Sequence, residues 1–335
     1  MQNEKTVIWE EGEYSYPMAF GFVPNIMSYL HEDGKVRPCM LVVPGGGYCV
    51  VSPTEGEIVA KRFYEAGYQA FVLTYTTNIL MSAPLKTQPM EDLSRAIRYI
   101  RKHAGEFRVD PGRVVVCGFS AGGHLCGSVC VHYNDIADKS EKYAGLSNRP
   151  DAAILSYPVI SSGSQSHSGS FSALLGMEID PATGEQHCTG TEAELEYMSL
   201  EKHVTPDTPP CFLWQTATDE QVPVENSYLF AESCRKSGVP HAHHVFSGGP
   251  HGLSLADEVW ASQDFGESYT MDQVFRIVSA VKDGTIPMPE EAKKELLAQL
   301  SWSEGEVKAE FQPVEEAAAW PDLAVTWLKN CCGIG

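Results

Sequence analysis

Residues 114–118, Val-Val-Val-Cys-Gly, run directly into Phe119-Ser120-Ala121-Gly122, and a helical pattern of small residues follows. This is G-x-S-x-G between an apolar run and a helix. A serine flanked by glycines at such a junction marks a sharp strand-to-helix turn, because side chains at the flanking positions would clash there. The turn exposes the serine hydroxyl at the end of a buried strand. The following helix N-terminus sets backbone N–H groups beside it. Few folds place a strained turn at the carboxyl end of a central strand, so this short stretch constrains the whole chain.

The surrounding pattern agrees. Apolar runs at 39–47, 68–75, 113–120, 151–159, 210–219 and 241–247 predict strands. Their continuous rather than alternating apolarity suggests strands covered on both faces, as in a parallel sheet. Helical stripes lie between them: Val59, Phe63 and Ala66; Leu93, Ile97 and Ile100; and, near the end, Trp320, Leu323, Ala324, Trp327 and Leu328. Alternating strand and helix gives a mostly parallel central sheet flanked by helices, with antiparallel edge strands expected in the first 35 residues. Two stretches break the rhythm: 160–205, with a helical piece around Phe171–Gly176, and 258–316. In the second, Met271, Val274, Phe275, Val278 and Val281 are expected on one buried face, forming a lid or a subunit interface beside the site. The domains read as 1–257, a helical insertion at 258–316, and a final helix within 317–335.

A serine nucleophile needs a base, and the base needs an acid to fix its tautomer. His251 lies in Phe246-Ser247-Gly248-Gly249-Pro250-His251-Gly252, a Gly/Pro-rich loop after the last expected strand. His124 sits one turn into the helix after Ser120 and is expected to pack locally. Asp219 ends the 210–219 run, with Glu220 beside it, and can serve either as the acid or as a helix cap. Oxyanion donors are expected from the loop Pro44-Gly45-Gly46-Gly47-Tyr48, at the N–H of Gly46 or Gly47, together with the N–H of Ala121. A phosphate-binding reading of that loop fails, because no G-K-[ST] follows.

Charge narrows the partners. Lys and Arg total 24 against 44 Asp and Glu, a net charge of −20. Such a surface repels phosphate backbones and anionic lipid, which argues against nucleic acid and membranes. The first residues lack a signal-peptide pattern and no apolar run is long enough to span a bilayer, so a cytoplasmic protein is expected. The ten cysteines are scattered and read as free thiols, without zinc spacing.

With these residues placed, the chain resembles the α/β-hydrolase-fold esterases of the hormone-sensitive-lipase-like and acetyl-xylan-esterase-like group. The matching segments cover most of residues 36–256 and the final helix. The resemblance implies Ser120 as nucleophile, Asp219 as acid and His251 as base, the chain order of that fold. It also implies an oxyanion hole from Gly46, Gly47 and Ala121, and Tyr48 at the substrate. His167, in the first insertion, is a further candidate for lining the pocket. The implied reaction removes short acyl groups, acetyl foremost, from sugars or xylo-oligosaccharides, with no metal or organic cofactor. The expected partner is a small acyl ester or acetylated oligosaccharide, with homo-oligomers left open. The alternatives are an arylformamidase, a serine peptidase of the prolyl-oligopeptidase type, and a non-catalytic homologue. The segment 258–316 departs from the group's pattern, which ties substrate preference to this chain's own features.

Overall fold

A computed structural model describes residues 1–180, 183–300 and 311–335. The sheet is built from β1 (Gln2–Val7), β2 (Asn25–Leu30), β3 (Arg37–Val43), β4 (Gln69–Thr74), β5 (Val109–Phe119), β6 (Ala152–Ser156), β9 (Cys211–Thr216) and β10 (His241–Phe246). A separate hairpin pairs β7 (Met177–Ile179) with β8 (Gln186–Cys188). The order in the eight-stranded sheet is β1-β2-β4-β3-β5-β6-β9-β10. β1 and β2 are antiparallel to their neighbours, and the strands from β4 to β10 run parallel. This is the α/β-hydrolase fold, with the antiparallel edge where the first residues suggested it.

Helices α1 (Glu57–Glu65) and α8 (Trp320–Cys332) cover one face of the sheet. Helices α2 (Gln88–Lys102), α3 (Ala121–His132) and α5 (Glu225–Ser237) cover the other, where α4 (Ser168–Leu175) also packs. Alternate residues of each strand serve the two cores. Leu41 and Val43 pack with α2 and α3, while Met40 and Val42 pack with α1 and α8. Trp320 joins α8 to the sheet: its ring stacks on Trp214 at 5.2 Å, and its Nε1 donates to the Ser254 carbonyl at 2.8 Å.

Three details differ from the sequence expectation. The first long strand stops at Val43, so the three glycines form a loop and extend no ladder. The sequence pattern gives no sign of the β7–β8 hairpin within 160–205; its residues are mostly exposed and its strands too short to carry a period. In the expected insertion, α6 (Asp272–Lys282), followed by α7 (Glu290–Leu300), buries Val274, Ile277, Val278 and Val281, with Met271 just before it, but Phe275 is 47% exposed. Phe275 lies at the margin of that stripe, about 100° around the helix from Val274, and turns to solvent. Residues 301–310 of the expected insertion lie outside the described residues.

Candidate active site

The turn at Ser120 is strained in the way its glycines require. Ser120 has φ 52° and ψ −119°, outside the ordinary regions for an L-residue. A Cβ on Gly118 would meet the Gly122 carbonyl oxygen at 2.2 Å, and a Cβ on Gly122 would meet that of Val43 at 2.1 Å. Helix α3 therefore approaches β5 at Gly118, and the end of β3 at Gly122, too closely for a side chain at either position.

The structure brings three of the expected residues together. His251 Nε2 lies 2.8 Å from Ser120 Oγ, and His251 Nδ1 lies 2.7 Å from Asp219 Oδ2. The ambiguity at Asp219 resolves by division of labour between its two oxygens. Oδ2 faces His251, while Oδ1 accepts the N–H groups of Gln221 and Val222 at 3.0 and 2.9 Å. The carboxylate is thus both a turn cap and a histidine partner, and Glu220 is exposed. Burial alone would raise the Asp219 pKa, but the His251 hydrogen bond and charge, with the two backbone donors, hold it below the usual value. Gln215 Nε2 adds a contact to Oδ2 at 3.3 Å, a residue that no motif would flag.

The His251 loop is braced from β9 and the turn after it. The Gly249 carbonyl accepts from the Thr216 and Thr218 hydroxyls at 2.8 and 3.1 Å, and Gly249 N–H donates to Thr218 Oγ1 at 2.9 Å.

The glycine loop folds over the serine. Gly45 leaves no room for a Cβ beside Phe119 and Ser120, and Gly46 none beside Val50. Gly46 and Gly47 take φ of 114° and 63°. Among the described residues their N–H groups meet no acceptor. Ala121 opens α3, and the first N–H groups of a helix have no intrahelical partner. The Tyr75 hydroxyl secures the loop by donating to the Pro44 carbonyl at 2.7 Å.

A cavity of about 290 Å³ opens at the serine, lined by Gly46, Gly47, Val50, Glu55, Ser120, His167, Gln221 and His251 among others. His167 reaches this cavity from the first insertion. Its Nδ1 is engaged by Ser170, at 3.4 Å from the backbone N–H and 2.9 Å from the hydroxyl. Burial and the nearby His251 hold its pKa below the usual value. Tyr48, expected at the substrate, does not line this cavity: its ring is buried, and its hydroxyl donates to His124 Nδ1 at 2.8 Å. The φ of 62° at Tyr48 turns the side chain away from the cavity into the core. His124, as expected, packs locally, with Nε2 donating to the Met198 carbonyl at 3.0 Å. The described part of the insertion does not line this cavity. Its Met271, Val274 and Val278 pack behind Val50 and Ile79.

The sheet and its flanking helices place the chain in the α/β-hydrolase class. Residues 27–234 match the BD-FAE family, and the chain belongs to it. It is 50% identical over 274 residues to endo-1,4-beta-xylanase B of Butyrivibrio fibrisolvens, covering 82% of this chain and 41% of that protein. It is 31% identical over 237 residues to an acetylxylan esterase of Xylanibacter ruminicola, covering 69% of this chain and 44% of that protein. The chain therefore spans less than half the length of either relative. Among solved structures it resembles an acetyl ester-xyloside bifunctional hydrolase from Caldicellulosiruptor lactoaceticus, with TM-score 0.67 and 35% identity over 84% of this chain and 96% of that one. The carboxylesterase Cest-2923 of Lactobacillus plantarum shares the fold, with TM-score 0.68 and 24% identity over 100% of this chain and 99% of that one. No helix among the described residues is long and apolar enough to cross a membrane.

Proposed function

We propose that this chain is a serine carboxylesterase that removes short acyl groups, acetyl foremost, from hydroxyl-rich alcohols such as xylo-oligosaccharides. The observation that carries the reading is the hydrogen-bonded line Ser120–His251–Asp219 at 2.8 and 2.7 Å. Ser120 Oγ attacks the ester carbonyl while its proton passes to His251 Nε2. Asp219 holds the imidazole and stabilises the imidazolium. The tetrahedral oxyanion is met by the N–H groups of Gly46 or Gly47 and of Ala121. Collapse expels the alcohol, which takes the proton from Nε2. Water, deprotonated by the same nitrogen, then releases the acid and restores the serine.

The short acyl group is supported by the modest size of the cavity, about 290 Å³. The acetyl and xylan part is supported by the names of the two relatives at 31% and 35% identity. The xylanase name of the third does not transfer in the same way. Glycoside hydrolysis usually works through a pair of carboxyl groups flanking the bond, whereas this cavity presents a serine hydroxyl on a histidine. The oligomeric state, the 1–257, 258–316 and 317–335 division and a cytoplasmic location stay expectations of the reading.

The test is a hydrolysis panel of p-nitrophenyl acetate, butyrate and octanoate beside acetylated xylo-oligosaccharides and a formyl anilide, with fluorophosphonate labelling at Ser120. Labelling with acetate and acetylated sugar leading the panel is the expected result. A formyl anilide turned over faster than every acetyl ester would replace the reading with a formamidase. No labelling and no turnover would leave a binding protein.

A further inference from the structure

The cavity wall holds a carboxylate that the triad does not use. Glu55, at the end of the single turn Pro53–Glu55, is 4% exposed. Among the described residues it has no cationic side-chain partner. Its Oε2 accepts the Gly45 N–H at 2.7 Å, and its Oε1 accepts the Tyr157 hydroxyl at 2.7 Å. An isolated buried carboxylate is costly, and two neutral donors compensate it only in part. Burial accordingly pushes its pKa up, against the pull of these two donors.

Tyr157 carries the connection onward. The residue follows β6 with φ 36°, a left-handed backbone that a bulky side chain rarely adopts. Such strain persists only where the surroundings impose it, and it gathers at functional sites. The Tyr157 hydroxyl accepts the Ser254 N–H at 2.9 Å, in the loop that carries His251. Its ring meets the His251 ring edge-on, with centroids 4.9 Å apart. One carboxylate thus ties the oxyanion glycine loop, the end of β6 and the histidine loop. Gly45 spends its N–H on Glu55, which leaves those of Gly46 and Gly47 for the oxyanion.

We propose that Glu55 is a positioning residue, which through Gly45 and Tyr157 sets the oxyanion loop against His251 and by its charge favours the imidazolium formed as Ser120 attacks. The charge does not oppose the oxyanion strongly, because Gly45 N–H and Tyr157 O–H each point at one of its oxygens. The groups facing His251 are Ser120 at Nε2, Asp219 at Nδ1, Tyr157 at the ring, Glu55 behind Tyr157, and His167, whose own ionisation feels the His251 charge. The proposal rests on the esterase reading.

The experiment measures kcat, KM and the pH profile of kcat/KM with p-nitrophenyl acetate for the unaltered chain, Glu55→Gln and Tyr157→Phe, beside thermal unfolding. Glu55→Gln is expected to lower kcat about 10- to 100-fold with little change in KM, the scale of a small misplacement at the reacting atoms. Its acidic limb should move to lower pH by about half a unit or more, because the imidazolium has lost a neighbouring negative charge. Tyr157→Phe keeps the ring and the charge. It should lower kcat about tenfold with a smaller shift of the limb. A folded Glu55→Gln with unchanged kcat, or with lowered kcat and an unmoved limb, overturns the proposal. If Glu55→Gln does not fold, unchanged kcat in folded Tyr157→Phe overturns it. Fluorophosphonate labelling of the unaltered chain separates the two readings: without labelling or turnover the esterase reading fails and takes this one with it, while an active chain indifferent to Glu55→Gln sinks this one alone.

Discussion

The Ser120 hydroxyl and the His251 imidazole, 131 positions apart in the chain, meet at 2.8 Å. Two different devices bring them there. Ser120 is held by a backbone turn that two flanking glycines permit. His251 is held by a loop bonded to Thr216 and Thr218. The contact therefore separates chemistry from framework, and variants can address each.

Ser120→Ala keeps the Cβ and the turn while removing the hydroxyl. Ester hydrolysis should fall by several orders of magnitude, with thermal unfolding little changed. Purified protein that retains more than about a tenth of the activity would exclude Ser120 as the nucleophile.

Asp219 and Glu220 are neighbours with very unequal expected effects. Asp219→Asn should lower kcat by about 10³- to 10⁴-fold, since an amide at that oxygen favours the wrong imidazole tautomer. Exposed Glu220→Gln should change kcat less than about threefold. Equal losses in the two variants would remove Asp219 from its proposed role.

The glycines should separate by space and by backbone. Gly122→Ala places a Cβ 2.1 Å from the Val43 carbonyl oxygen and should cost at least about 2 kcal/mol of stability, or prevent folding. Gly47→Ala meets nothing within 4 Å but must hold φ 63°. Its stability cost should be about 1 kcal/mol, with the larger loss in kcat. Urea unfolding of both variants compares the two penalties directly. A Gly122→Ala as stable as Gly47→Ala would contradict the close approach of β3 and α3.

Stability should fall with acid through His124. Burial pushes its pKa down to about 4, and that of His243 likewise to about 4. The unfolded value is about 6.5. Between these limits the unfolded chain binds a proton that the folded chain refuses. Stability is therefore fully present above about 6.5 and declines as pH drops toward 4, by a few kcal/mol for the fully buried His124. Urea midpoints at several pH values should show the decline, and His124→Gln should flatten it. An identical slope in the variant would assign the acid sensitivity elsewhere.

The insertion should act through Val50. Its Met271, Val274 and Val278 pack against this cavity-lining residue, and Gln273 Oε1 accepts the Thr77 N–H at 2.8 Å. Val274→Ala should cost about 1–3 kcal/mol and alter KM or acyl selectivity more than labelling of Ser120. An unchanged selectivity profile in a measurably destabilised variant would make the segment purely structural.

Much of this was legible in the sequence, because much of it is local. Strand and helix order follows from apolar periodicity. The need for glycine at 118 and 122 follows from one tight turn, and the positions of Ser120, Asp219 and His251 follow from their places after particular strands. What stayed hidden depends on contacts between segments far apart in the chain. Tyr48 sits beside three glycines and reads as a pocket residue, yet its backbone turns it inward to His124. Glu55 reads as one more acid among 44 until Gly45 and Tyr157 close around it. Phe275 completes an apolar stripe on paper but faces water, because only the packing partner decides how wide the buried face is. Periodicity reports which residues prefer burial. Only the tertiary fold decides what each side chain meets there, because direction and distance between remote segments are set by how the sheet and its loops pack.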